Sequence, residues 1–111
     1  MATENVSSEV GTKLLFENDR VRLCDLRLAP GEGTGLHRHC TDYFYVVIGD
    51  GMLQRVDPDG TRHAPRAMKD GEVHFRPVDG DAVHEAVNAG ITPWRNIVVE
   101  LKDHRSSGLA E

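Results

Sequence analysis

Two of the six histidines in this 111-residue sequence form the triplet His37-Arg38-His39. On a β-strand, residues i and i+2 share a face and lie about 6.6 Å apart along the chain. Two imidazoles on that spacing can converge on one divalent ion at roughly 2.0 to 2.1 Å from each nitrogen. A His-x-His pair is a weak signal by itself, because a metal centre needs a further ligand from elsewhere and strands that hold it in place. A chain of this length would ordinarily carry roughly two or three histidines, so their number alone invites the question of what they do.

The elements that must position such a pair read as short strands. No segment has helical periodicity, and turn signals recur about every 8 to 12 residues, as in an all-β sandwich or barrel. An apolar segment begins at Leu14-Leu15-Phe16 and turns at Asn18-Asp19. Val21 to Leu28 alternates, with Arg22, Cys24, Leu26 and Leu28 on one face and Val21, Leu23, Asp25 and Arg27 on the other. His37 to Ile48 reads as one long strand, ended by Gly49-Asp50-Gly51. Met52 to Val56 pairs back, and Asp57-Pro58-Asp59-Gly60 makes a hairpin loop. Further strands are expected over Thr61 to Met68, Glu72 to Arg76, Ala82 to Asn88 and Trp94 to Leu101. Residues 1-11 are expected as a flexible N-terminal segment, 12-103 as the barrel and 104-111 as a polar C-terminal tail.

Gly31, five residues, His37, one residue, His39 and then a strand ending in Gly49 and Gly51 resembles the first motif of the cupin superfamily. Gly71, five residues, Pro77, then His84 and Asn88 resembles the second. The pieces Val-Arg, His-Arg-His, Asp-Tyr, Phe-Arg-Pro and Val-Asn-Ala-Gly are similar to the small bacterial cupins known as β-alanine degradation proteins. The resemblance spans Leu14 to Lys102 and implies a small double-stranded β-helix, or jelly-roll barrel. It also implies that His37, His39 and His84 bind a divalent transition metal: iron(II) first, with zinc, nickel or manganese as alternatives.

The sequence departs from the family pattern twice. The first motif usually places a glutamate four residues after its second histidine; here that position is Tyr43. Tyr43 has the parity of His37 and His39, so it is expected to point inward with Tyr45 and Val47, while Asp42 faces away. A neutral phenol is a poor ligand, since its pKa is about 10. Tyr43 is therefore read as a catalytic candidate that orients substrate, or else as an aromatic filling the barrel. Three neutral histidines would leave an ion its full charge, which favours an anionic substrate, oxygen or a polarised water. The second departure is a longer Pro77 to His84 loop, with Asp79-Gly80-Asp81 as the insertion.

Other residues stay open. If the polar face of Glu72, His74 and Arg76 looked inward, His74 and Arg76 could line the pocket, and Arg76 could clamp a carboxylate; otherwise that face is solvated. His63 and His104 read as surface residues. Cys24 and Cys40 read as reduced thiols, and Cys40 points away from the histidines by parity. Asn88 suits a turn, and Trp94 a core or an interface. Phe44, Val46 and Ile48 suit sheet packing or a homodimer interface, which the resemblance also implies.

The net charge of -5 argues against nucleic acid or an anionic membrane as partner. No apolar stretch approaches the roughly 18 residues of a membrane span. Residues 1-11 lack the pattern of a signal peptide, so the expected location is the cytoplasm. The resemblance implies a metal-dependent enzyme acting on a small molecule, foremost a three-histidine non-haem iron dioxygenase. A non-catalytic ligand-binding cupin, or an isomerase or lyase using another metal, is the alternative.

Overall fold

The alternating segments become antiparallel strands in the computed structural model of the protein, which describes residues 13–39, 41–78 and 82–102. The expectations for residues 1-11, Cys40, Asp79-Gly80-Asp81, His104 and the 104-111 tail lie outside the described residues. Nine strands occur among the described ones: β1 (Lys13–Glu17), β2 (Val21–Leu28), β3 (His37–His39), β4 (Tyr43–Val47), β5 (Gly51–Val56), β6 (Arg66–Met68), β7 (Val73–Arg76), β8 (Ala82–Asn88) and β9 (Trp94–Leu101). They form a five-stranded sheet in the order β1-β2-β9-β4-β7 and a four-stranded sheet in the order β3-β8-β5-β6. No helix among the described residues is long and apolar enough to cross a membrane.

The two sheets meet over a core drawn from both. Leu26, Leu28, Val47 and Trp94 of the larger sheet pack with Met68 of the smaller one, and Leu53 joins them. Trp94 is 1% exposed, and its indole N–H donates to Oδ1 of Asn96 at 2.6 Å, which satisfies the polar tip of a buried ring. The β5 backbone runs tight against this indole. A Cβ on Gly51 would sit 2.7 Å from Trp94 Cε3. Asn88 is also buried, and its side chain closes a turn: Nδ2 donates to the carbonyls of Leu28 and Thr92, and Oδ1 accepts from Gly90 N–H.

The faces of β2 follow the alternation, with Cys24, Leu26 and Leu28 buried. Asp25 is buried too, although it lies on the opposite face. Arg95 and Arg27 fold over it, each with Nε 3.0 Å from a carboxylate oxygen. Arg27 and Arg95 are cross-strand partners, so Asp25 offsets two like charges set side by side.

Two expected strands are corrected. His37 to Ile48 is two strands in different sheets, β3 and β4, and not one run. The chain crosses between sheets just before Tyr43, and Asp42 pins the crossing: its Oδ1 accepts from Val78 N–H at 2.8 Å and its carbonyl from Leu101 N–H at 2.9 Å. Backbone groups bound in this way cannot continue a ladder with β8. Thr61 to Met68 shortens to β6, because Pro65 has no N–H to donate and interrupts the pairing.

The outer face of the larger sheet is apolar across its width. Phe16, Leu23, Val99, Phe44 and Phe75 are successive cross-strand partners, one on each strand. Ile97, Val46 and Val73 form a second row beside them. Phe16, Phe75 and Val73 are 52%, 51% and 60% exposed.

Candidate metal centre

His37 lies opposite His84 in the β3–β8 pairing. Adjacent strands hold such side chains close on one face, and the i, i+2 rule brings His39 to the same side. The three rings meet edge to face, with centroids 4.7 to 4.9 Å apart. One ring nitrogen from each lies within 4.8 Å of the others, so the trio could hold a metal ion. His37 and His39 are buried.

The proton positions suit that use. Nδ1 of His37 lies 3.1 Å from the Gly35 carbonyl oxygen. A carbonyl only accepts, so the proton sits on Nδ1 and Nε2 keeps its lone pair. Nε2 of His39 faces Nε2 of His84 at 3.2 Å. Two nitrogens at roughly 2.1 Å from a shared ion stand about this far apart. Without a proton or cation between them, two bare lone pairs at this distance repel. Burial holds His39 at a pKa of about 3 and His84 at about 4, with neighbouring histidine charge adding to the effect. His37 is also lowered, chiefly by burial. All three rings are thus neutral, with lone pairs available, near neutral pH. Distances, burial and donor chemistry all fit a divalent transition metal.

Tyr43 is buried on β4 and stacks on His39, with centroids 3.8 Å apart and planes 10° apart. It meets the histidine with its ring face. Burial pushes its pKa up to about 12, so the hydroxyl stays protonated and can donate. Tyr45 is also inward and stacks on His74 at 5.1 Å.

The polar face of β7 looks inward. His74 has a side-chain exposure of 10%, with Nε2 2.9 Å from Oε1 of Glu72, and Arg76 lines the cavity beside the histidines. The reading of that face as solvated is set aside; the apolar Val73 and Phe75 are the exposed pair. The cavity has a volume of about 280 Å³, and Arg55, Arg66 and His63 also reach its wall. His63, expected at the surface, is exposed there, at the edge of this cavity, and pairs with Asp57 at 2.9 Å.

Glu100 was not foreseen. It sits opposite Tyr43 and continues the inward parity of Asn96 and Val98 on β9. Its Oε2 lies 4.0 Å from Nδ1 of His39, on the side away from the other histidines. The β9 alternation was the available signal. Glu85, the carboxylate on the cavity wall, is occupied: its Oε2 accepts from Gly35 N–H at 3.2 Å.

The chain is similar to known proteins along most of its length. It is 40% identical over 86 residues to the β-alanine degradation protein BauB of Pseudomonas aeruginosa, a match covering 78% of this chain and 86% of that protein. The crystal structure of a cupin domain from Bordetella pertussis Tohama I superimposes with a TM-score of 0.72 at 28% identity, covering 89% of this chain and 98% of that one. A Cupin 2 conserved barrel domain protein from Salinispora arenicola shares the fold, with a TM-score of 0.59 at 21% identity over 82% of this chain and 73% of that one. No protein-family model matches the chain. It belongs to the cupin superfamily, as an all-β double-stranded β-helix. Within that superfamily its resemblance is to the small bacterial group of BauB.

Proposed function

We propose that the protein is a metal-dependent enzyme whose His37, His39 and His84 hold a divalent transition metal, iron(II) foremost, and that it works as a dioxygenase on a small molecule. The observation that carries this reading is the donor set. Three neutral imidazoles converge, Glu100 lies behind His39, and Glu85 is bound to the backbone. An ion on these nitrogens would keep its full charge and have positions free for further ligands, where iron supplies Lewis-acid and redox chemistry.

The protein's own groups have defined tasks. The Gly35 carbonyl holds the His37 tautomer. Tyr43 braces the plane of His39 and presents a protonated hydroxyl for orienting substrate. Leu26, Leu53, Met68 and Val98 give the cavity an apolar wall that limits water around the reacting groups.

The test is anaerobic loading with iron(II), then oxygen uptake across small carboxylates, thiols and carbonyl compounds. One iron per chain, lost in His84→Ala, with substrate-dependent oxygen uptake, is the expected result. Uptake below about a tenth of an equivalent would remove the metal reading. Full loading without oxygen uptake would remove the dioxygenase and leave a non-redox or ligand-binding cupin. Because affinity follows the metal series and not biological use, the native ion is read from protein isolated from its own host.

A further inference from the structure

The cavity beside the histidines carries a cationic wall in a chain of net charge -5. Arg55 on β5, Arg66 on β6 and Arg76 on β7 all line it. Their situations differ. Arg55 is neutralised by Asp57, with Nε 3.2 Å from Oδ1. Arg66 is exposed at the rim. Arg76 is half-buried on the inner wall, opposite Tyr43 in the β4–β7 pairing. Its charge reaches both tyrosines, pulling against the upward push of burial on Tyr43 and Tyr45. Among the described residues, neither Arg66 nor Arg76 has an ion-pair partner within 4.0 Å. The backbone contact of Arg76 is a long one, 3.5 Å to the Phe75 carbonyl.

The Arg76 guanidinium also hydrogen-bonds Tyr45, but with five N–H donors and no ion-pair partner it keeps donors for a carboxylate, whose two oxygens its planar fork matches. The rest of the lining sets the body of the ligand. Leu26, Leu53, Met68 and Val98 are apolar, and about 280 Å³ is at the small end of ligand pockets. One half-buried guanidinium, with a second at the rim, suits a single negative charge better than a dianion.

We propose that the cavity binds a small monocarboxylate with a short apolar body, gripped by Arg76 on the inner wall and assisted by Arg66 at the mouth. The metal reading enters only in where the far end of this ligand reacts; the carboxylate grip stands on the arginines.

The experiment titrates butanoate, butanamide and methyl phosphate into zinc-loaded and metal-free protein by calorimetry. Wild type binds butanoate at least about ten-fold tighter than the isosteric amide, as a charge-assisted bidentate pair requires. In Arg76→Gln that preference falls below about three-fold while zinc stoichiometry is unchanged, and Arg76→Lys restores only part of it. Arg66→Gln, at an exposed position that folding tolerates, loses a few-fold and carries the test if Arg76→Gln is unfolded by circular dichroism. Equal binding of amide and carboxylate by wild type overturns the proposal. So does methyl phosphate binding more tightly than butanoate, or an unchanged preference in the folded arginine variants. Failure of wild type to take up zinc overturns the metal reading instead, and the carboxylate preference of metal-free protein still decides the role of Arg76.

Discussion

Oε2 of Glu100 stands 4.0 Å from Nδ1 of His39, a nitrogen that is buried and has no hydrogen-bond partner among the described residues. Ligation through Nε2 requires the neutral ring to carry its proton on Nδ1, and Glu100 is the group placed to receive it. Closing the gap to a hydrogen bond needs a shift of about 1 Å. Burial holds the Glu100 carboxyl above its ordinary range, and Arg22, 3.2 Å away, pulls it back. Carboxylates behind ligating histidines raise their basicity and fix their orientation. Glu100→Ala should therefore weaken zinc affinity by about ten- to a hundred-fold, with a smaller loss in Glu100→Gln. Competition with a chromogenic chelator measures it, and equal affinity in all three proteins would refute the positioning role.

Tyr43 separates bracing from chemistry. Tyr43→Phe keeps the stack on His39 and removes only the hydroxyl. Metal stoichiometry and melting temperature should stay at wild-type values while kcat falls by about a hundred-fold, the usual cost of a lost hydrogen-bond donor at a reacting centre. If kcat is unchanged, the hydroxyl has no role and Tyr43 only fills the barrel.

The buried histidines set an acid limit on the metal-free protein. Folded His39 and His84 have pKa values of about 3 and about 4, against 6.5 for an unperturbed histidine. Between these limits the unfolded chain binds protons that the folded chain refuses, so stability falls as pH drops below 6.5. The carboxyl of Glu100, raised in the fold, works in the opposite direction near its ordinary value of 4.5. Asp25, held low by Arg95 and Arg27, adds its own loss only below 3.8. The melting temperature of chelator-treated protein should fall steadily from pH 7 to pH 5, and less steeply in His84→Gln. A flat profile over that interval contradicts the neutral-triad picture.

The apolar rows on the larger sheet predict a homodimer. Val73 and Phe75 lie on its edge strand and are 60% and 51% exposed, and large contiguous apolar surfaces are rare on monomers. Sedimentation should give a dimer for wild type and a monomer for Phe75→Asp with Val73→Asp, with the fold retained. A wild-type monomer at high protein concentration would dispose of the idea.

Gly51 tests the packing of the core. Its Cβ space is taken by Trp94 at 2.7 Å, and an indole held by Asn96 cannot retreat freely. Gly51→Ala should destabilise by about 1–3 kcal/mol as overpacking, read from chemical denaturation.

The histidine pair and the β2 alternation were legible because each depends on a local period of two. The inward direction of Tyr43 was also legible, although the continuous strand used to argue it is interrupted at Asp42. What could not be read was any fact that depends on which sheet a strand joins. The β7 segment carries its apolar residues outward and its polar ones inward, against the usual rule, because the outer face of the larger sheet is an apolar row while the inner face at β7 borders the cavity beside the histidines. Arg55 and Arg66 sit on the β5–β6 hairpin and Arg76 on β7 of the other sheet, and only the packing of those elements brings them to one cavity. His63 is exposed, as its sequence position suggested, and its place at the cavity wall follows from the β5–β6 connection, where it pairs with Asp57.

The crossing at Asp42 has a consequence for how such a protein can change. The three histidines sit on neighbouring strands of the smaller sheet, while Tyr43, Arg76 and Glu100 sit on the larger one. The groups that would grip an ion and two that would meet a substrate, Tyr43 and Arg76, are thereby separate mutational units. Apart from Tyr43, which stacks on His39, residues on β4 and β7 can be exchanged without touching the strand pair that unites His37, His39 and His84. A lineage, or an engineer, can in this way recruit the same centre to a new acid by rewriting one wall and inheriting the other.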